Sequence, residues 1–184
     1  MEQIEVRFPD GTARLHPKGT PLRDLIPQKG ADDQPVAARL NGQVLDLQTP
    51  LEGGGLVEWI GLSSESGVEV MRHSTSHVMA QAVQSLFPGV KVTIGPAIRE
   101  GFYYDFDVDR PFSLEDLPRI EGMMKEIVDR DLPIVRRVVP REEAIRIFRE
   151  RGEPYKVELI EDLPDPQVSL YEQGDFMVLC RGPH

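Results

Sequence analysis

The sequence predicts an α+β protein of two domains, residues 1–62 and 63–184. Three observations carry this. Short alternating segments, broken by Asp-Gly and Asn-Gly turns, fill the first sixty residues, which is the patterning of strands and hairpins. A polar run, Ser63-Ser64-Glu65-Ser66-Gly67, then marks a linker. Beyond it an apolar periodicity of about 3.6 residues runs long enough for a helix of roughly twenty residues, and mixed strands and helices follow.

In the first domain Ile4, Val6 and Phe8 alternate with polar residues and predict a half-buried strand. Asp10-Gly11 turns the chain, and 13–16 returns as a second strand. Thr20-Pro21 opens a short helix, with Thr20 as N-cap, Pro21 at the first helical position and Leu22, Leu25 and Ile26 on the apolar side. A third strand covers 36–40. Asn41-Gly42 is the strongest hairpin signal in the chain and leads into a fourth strand, 44–47. After Gly53-Gly54-Gly55 a last strand covers 56–60. Two strands, a helix and three strands in this order predict a ubiquitin-like β-grasp. No catalytic cluster lies in it, and His16 reads as a surface strand residue.

The second domain opens with a long central helix over 68–87, capped by Ser64 or Ser66 and stopped by Pro88-Gly89, packed on an antiparallel sheet. Met71, Val78, Ala82 and Leu86, with Met79 beside them, form its buried face. His73 and His77 fall on a neighbouring stripe with Ala80 and Gln84. A strand over 90–94 is broken by Gly95-Pro96. Residues 101–107 read as an aromatic strand that turns Phe102, Tyr104 and Phe106 to one side. Ser113, with Asp116 at the capping-box position, starts a second long helix. It tolerates Pro118 in its first turn and buries Leu117, Ile120, Met124, Ile127 and Val128. A strand over 134–139, a helix over 142–150 with Ile145 and Phe148 inward, a strand over 155–160 carrying Lys156, a loop at 163–166, and strands over 168–171 and 176–179 complete the chain.

Composition is that of a soluble globular protein, 40% hydrophobic and 28% charged. No apolar run approaches the roughly 20 residues of a spanning helix. The acidic, alternating N-terminus is not a signal peptide. A single cysteine excludes an internal disulfide framework and predicts the reducing cytoplasm. The net charge of -10 argues against a non-specific nucleic-acid binder but allows one local contact patch. Arg136, Arg137, Arg141, Arg146, Arg149 and Arg151 are the one basic concentration, and a solvated strand edge and helix face is the plainer reading of it.

Three of the four histidines and the one cysteine sit in two places, Arg72-His73-Ser74-Thr75-Ser76-His77 and Cys180-Arg181-Gly182-Pro183-His184. On a helix His73 and His77 lie one turn apart on one face. Gly182 and Pro183 make the closing run a loop. Brought together, the two pairs form either a zinc-like ligand set or a hydrolytic pocket.

With these motifs stand Ile94-Gly95-Pro96, Gly101-Phe102-Tyr103-Tyr104-Asp105 and Arg151-Gly152-Glu153-Pro154-Tyr155-Lys156-Val157. In this order, along the whole chain, they resemble the N-terminal region of bacterial threonyl-tRNA synthetases. Phe8-Pro9-Asp10-Gly11 and Val36-Ala37-Ala38-Arg39-Leu40-Asn41-Gly42 resemble the TGS domain that opens this family. The resemblance implies a TGS domain followed by an editing domain that hydrolyses serine esterified in error to the tRNA for threonine. Serine lacks one methyl of threonine, worth only about 1–3 kcal/mol of discrimination, so a second, size-selective site is needed.

Carried over by motif, His73, His77, Lys156, Cys180 and His184 are the catalytic set and Tyr104 lines the pocket. His73 orients or deprotonates water, and Lys156 steadies charge on the ester and the terminal ribose. His77, Cys180 and His184 shape the pocket, with Cys180 not a covalent nucleophile, and Tyr104 places a hydroxyl at its edge. The implied partner is the aminoacylated 3′ end of tRNA, without a membrane. No metal is required in this reading; the zinc alternative uses His73, His77, Cys180 and His184.

Two departures bear on it. Many family members carry an acidic residue two positions before the cysteine, where this chain has Val178, and Asp175 is offset by three positions. The chain also stops at His184, so it reads as part of a longer synthetase. ATP, the core zinc, aminoacylation and the homodimer are expected of the longer enzyme alone. The competing classes are a tRNA-positioning or regulatory module without turnover, and a zinc-dependent aminoacyl-tRNA hydrolase.

Overall fold

A computed structural model describes residues 2–27 and 34–184. The architecture is mixed α+β, and the chain divides into two compact units, residues 1–71 with 182–184, and residues 72–181. Among the described residues no helix is long and apolar enough to cross a membrane.

The first unit is a five-stranded sheet of β1 (Gln3–Arg7), β2 (Ala13–Pro17), β3 (Pro35–Leu40), β4 (Gln43–Leu45) and β5 (Gly55–Gly61), in the order β2-β1-β5-β3-β4. The β1–β5 pair is parallel, and the pairs β1–β2, β3–β4 and β3–β5 are antiparallel. The Asp10 carboxylate accepts the Thr12 N–H at 2.8 Å and its hydroxyl at 2.7 Å. Asn41 and Gly42 both take positive φ, 50° and 89°, as a two-residue hairpin turn of this hand requires. Asn41 Oδ1 also accepts the Leu56 N–H at 3.0 Å, tying that turn to β5.

One face of this sheet packs Val6, Leu22, Ala38, Leu51 and Val57 together. The other joins Ala37 and Ile60 to Val70. The predicted helix after Pro21 is a single 3-10 turn, Leu22–Leu25. Thr20 does not cap it; its hydroxyl donates to the Pro17 carbonyl at 2.6 Å.

Helix α1 (Glu65–Leu86) begins within the polar run, three residues before the expected start, and Ser64 Oγ accepts the Gly67 N–H at 3.1 Å as its cap. In the second unit, β10 (Val135–Pro140), β11 (Gln167–Gln173) and β12 (Phe176–Leu179) form an antiparallel sheet in that order. The period of two along a strand sends alternate side chains to opposite faces. Tyr171, Phe176 and Val178 meet Ala80 of α1 on one face. Val168 and Leu170 meet α3 (Arg141–Glu150) and α4 (Pro154–Glu161) on the other, through Ala144, Ile145, Phe148 and Ile160. Helix α2 (Asp116–Asp129) packs Ile120 and Ile127 on Val78, Ala82 and Val83. The Asp116 carboxylate accepts two bonds from the Arg110 guanidinium and one from the Ser113 N–H. Those donors hold its carboxyl well below the usual range.

Four expectations are corrected. Residues 155–160 are helix, not strand: Pro154 presets the first helical position, and Lys156 and Ile160, one turn apart, are the buried pair. The strand expected over 90–94 shrinks to β6 (Lys91–Val92). The aromatic strand over 101–107 is broken into β8 (Gly101–Phe102), paired with β7 (Ala97–Ile98), and β9 (Phe106–Asp107), paired with β6. Met71, Leu117 and Val128 are exposed at the margins of their stripes, while Val78, Ala82, Ile120 and Ile127 are buried as expected and Val70 and Val83 join them on α1.

Candidate active site

Helix α1 presents His73 and His77 on successive turns, their ring centroids 4.8 Å apart and nearly edge to face. Cys180 follows β12 directly. Its backbone N–H donates to the Ser169 carbonyl at 3.1 Å, and its own carbonyl accepts the Ser169 hydroxyl. This anchorage brings Cys180 Sγ to 3.3 Å from His73 Nε2. Lys156 enters from α4, and Tyr104 from the segment between β8 and β9.

Five of the six predicted site residues, His73, His77, Tyr104, Lys156 and Cys180, line one cleft of about 310 Å³, with Val178 among them. A second cleft of about 690 Å³ shares His73 and Cys180 and adds Arg136, Gln167, Ser169 and Arg181. His184 belongs to the first unit, where its backbone N–H donates to Asp46 at 2.7 Å. Asp175 is away from both clefts, at the β11–β12 turn, where its carbonyl accepts the Arg151 guanidinium.

The electrostatics divide the groups. Burial, and then the charges of His73 and Lys156, push the His77 imidazole down to about 3, so at neutral pH it is an uncharged ring. Burial, with Cys180 and Glu153 nearby, raises the Tyr104 phenol far above its ordinary value and keeps it a hydroxyl. Lys156 is 1% exposed, and burial draws its ammonium down while Glu153 opposes the shift. Its Nζ donates to Glu153 Oε2 at 2.8 Å and to the Val92 carbonyl at 3.2 Å.

The sequence assigns no site role to Glu153, Gln84 or Ser76, although Gln84 falls on the stripe of the two histidines. Glu153 stands three residues before Lys156 in the Arg151–Val157 motif, and that helical spacing is the available signal. Ser76 Oγ sits 2.7 Å from the His73 carbonyl and 2.8 Å from that of Gly95, so α1 is pinned to the cleft wall beneath the histidines. Gly95 is required there: a Cβ would lie 1.9 Å from the Tyr104 ring. Arg72 adds a clamp, donating to the carbonyls of Ile98 and Arg99 at 3.3 and 2.6 Å. Of the arginine concentration, Arg137 and Arg149 pair with carboxylates and Arg141 and Arg151 bond carbonyls, while Arg136 lines the larger cleft.

The ligand atoms of His73, His77 and Cys180 lie within 4.8 Å of one another. Two imidazole nitrogens and one sulfur at that separation fit a zinc ion in donor type and reach. The same groups fit a water-activating site, since a neutral imidazole within reach of a bound water is the commonest biological base.

No family model matches the chain. Against curated proteins it is 53% identical over 186 residues, all of its length, to the threonine–tRNA ligase of a Geobacter species. It is 51% identical over 182 residues, 97% of its length, to that of Rubrobacter xylanophilus, and 47% identical over 184 residues to that of Anoxybacillus flavithermus. The chain spans 28–29% of the length of these relatives. The resemblance read from its motifs is thereby borne out: the chain belongs to the threonine–tRNA ligase family and corresponds to a part of its members' length.

Proposed function

We propose that the chain is the proofreading part of a threonine–tRNA ligase and hydrolyses serine esterified in error to the tRNA for threonine. One observation carries this reading: two imidazoles, a thiol and a buried ammonium converge in a single cleft. Residues 1–62 are then a TGS domain of β-grasp fold, which the order β2-β1-β5-β3-β4 supports, and residues 63–184 belong to the editing domain. The partner is the aminoacylated 3′ end of the tRNA. Arg136 and Arg181 in the adjoining cleft offer an acidic chain a local cationic place for it. The compartment is the cytoplasm.

In this mechanism His73 accepts a proton from a water as its oxygen adds to the ester carbonyl carbon. The charge that develops on the carbonyl oxygen is met by the Lys156 ammonium. The carbon–oxygen bond to the ribose then breaks, and the ribose oxygen takes the proton back from His73. The products are free serine and a tRNA with a free terminal hydroxyl. His77, uncharged at neutral pH, orients rather than carries the proton. Tyr104, held as a hydroxyl, donates a hydrogen bond at the cleft wall. Cys180, 3.3 Å from His73, holds it in register and forms no covalent intermediate.

No metal is required in this reading. Were zinc held by His73, His77 and Cys180, it would supply a Lewis acid and lower the pKa of a bound water. A second reading, a tRNA-positioning module without turnover, is favoured by Val178, an apolar side chain 3% exposed where the family resemblance places a carboxylate.

The test is deacylation of seryl-tRNA and threonyl-tRNA for threonine by this chain, with and without chelator. Serine-selective hydrolysis that survives chelator, and falls at least about a hundredfold in His73→Ala, is expected. Loss with chelator would establish the zinc reading. Hydrolysis of neither ester by the wild type, regained in Val178→Asp, would establish the positioning module.

A further inference from the structure

We propose that Glu153 is a positioning residue of the cleft: backed by Gln84, it fixes the Lys156 ammonium at the cleft wall. This rests on the hydrolytic reading above only for its kinetic test.

Glu153 and Lys156 are 6% and 1% exposed, and their charged atoms are 2.8 Å apart. A buried ion pair of this kind is seldom more stabilising than two apolar side chains of the same volume, so stability does not account for it. An ammonium has three N–H donors. Glu153 and the Val92 carbonyl take two; the Phe148 ring lies 5.7 Å from the nitrogen as a cation–π neighbour, and among the described residues no third hydrogen-bond acceptor stands against it. The lysine nevertheless lines the cleft that holds His73 and His77. One donor is therefore left for whatever enters the cleft, and its direction is set by the other two.

Glu153 is held from the opposite side. Its Oε1 accepts the Gln84 amide at 2.7 Å. Gln84 lies seven residues, two turns, beyond His77 on the same helix, so one face of α1 carries both imidazoles and the group that steadies the lysine's counterion. Glu153 precedes Pro154 at the start of α4, yet its carboxylate makes no cap to that helix. Both oxygens are committed to Lys156 and Gln84 instead. Arg151 disfavours the ammonium's charge and His77 stands uncharged beside it, so Glu153 is the neighbour that favours it.

The experiment uses the whole 184-residue chain with Glu153→Gln, Lys156→Met, the double variant and Gln84→Met. Seryl-tRNA hydrolysis and the side-chain NMR signal of the Lys156 ammonium are read on each. Glu153→Gln is expected to lower kcat roughly a hundredfold, with KM nearly unchanged. It should cost nothing further in the Lys156→Met background, because it acts only through the lysine. Its kcat should also decline from a lower pH than the wild type's as pH rises, as an ammonium without its counterion gives up its proton sooner.

The wild-type ammonium signal, sharpened by burial and two acceptors, should shift or vanish in Glu153→Gln and shift less in Gln84→Met. An unchanged kcat in Glu153→Gln, or the same loss with and without Lys156, would overturn the proposal. Should the wild type hydrolyse neither ester, the editing reading fails, and the NMR arm decides alone: an ammonium signal unmoved by Glu153→Gln overturns the positioning role. Gln84→Met, which leaves the ion pair in place, supplies the comparison if Glu153→Gln does not fold.

Discussion

The two units build their interiors from different material. Among the described residues seven polar or charged side chains are buried, and only Asp46 lies in the first unit. Ser76, His77, Gln81, Asp116, Glu153 and Lys156 all lie in the second. The first unit closes its sheet with hydrocarbon on both faces and takes its shape from turns. The second places three charged groups, Asp116, Glu153 and Lys156, and an imidazole among its strands and helices, where each must find a partner or change its protonation. Asp116 and Gln81 lie away from the cleft, Asp116 tied to Arg110 and Ser113 and Gln81 to Gln173, but His77, Lys156 and its partner Glu153 gather at it, and costly polar burial of that kind marks where chemistry is placed.

The contrast is broken most severely by Lys156→Met, which strands the Glu153 carboxylate in the interior. A loss of about 3–5 kcal/mol of stability is expected in denaturant unfolding. If Glu153→Leu in the same chain restores stability without restoring hydrolysis, the pair is kept for function. Leu22→Ala is the matching test in the first unit, where a fully buried side chain leaves only a cavity. It should lower stability by about 2–5 kcal/mol and leave seryl-tRNA hydrolysis per folded molecule unchanged.

Gly95→Ala drives a methyl into the Tyr104 ring and should cost about 1–3 kcal/mol, with a perturbed near-ultraviolet tyrosine signal. A neutral result there would mean that the ring moves freely and does not shape the cleft.

The smallest effect is a pH slope. The folded-state value of His77, about 3, lies below the ordinary 6.5. Between those values the unfolded chain binds the extra proton, so stability falls as pH falls through that window, by up to about 1.4 kcal/mol per unit from this residue. Urea midpoints at pH 7 and pH 5 should separate less in His77→Gln than in the wild type. Equal separations would show that His77 is protonated in place.

Legibility followed the same division. Asp10-Gly11 and Asn41-Gly42 announce their turns because φ and local hydrogen bonding are settled within four residues. Ser64 announces α1 for the same reason. Helix α3 is legible from Ile145 and Phe148 alone. Tyr155, Val157 and Leu159 alternate with Lys156 and Glu158 and mimic a strand. The helix wins because Pro154 presets its first turn and because burying Lys156 with Ile160 needs a spacing of four. Nothing local reveals that a lysine is the buried member, since Gln84, which holds its counterion, is 69 residues away from Glu153.

By itself, the sequence determined the turns, the Ser64 cap of α1, most of the strands and helices, and the two short runs that carry the histidines and the cysteine. These depend on neighbours a few residues apart, and their chemistry travels with the residue types. Only the tertiary structure decided that Cys180 reaches His73, that His77 is held neutral, and that Lys156 is sealed beside Glu153 with Val178 where a carboxylate was looked for. Those outcomes depend on distance and desolvation, which arise when strands and helices far apart in the chain exclude water from the same few ångströms.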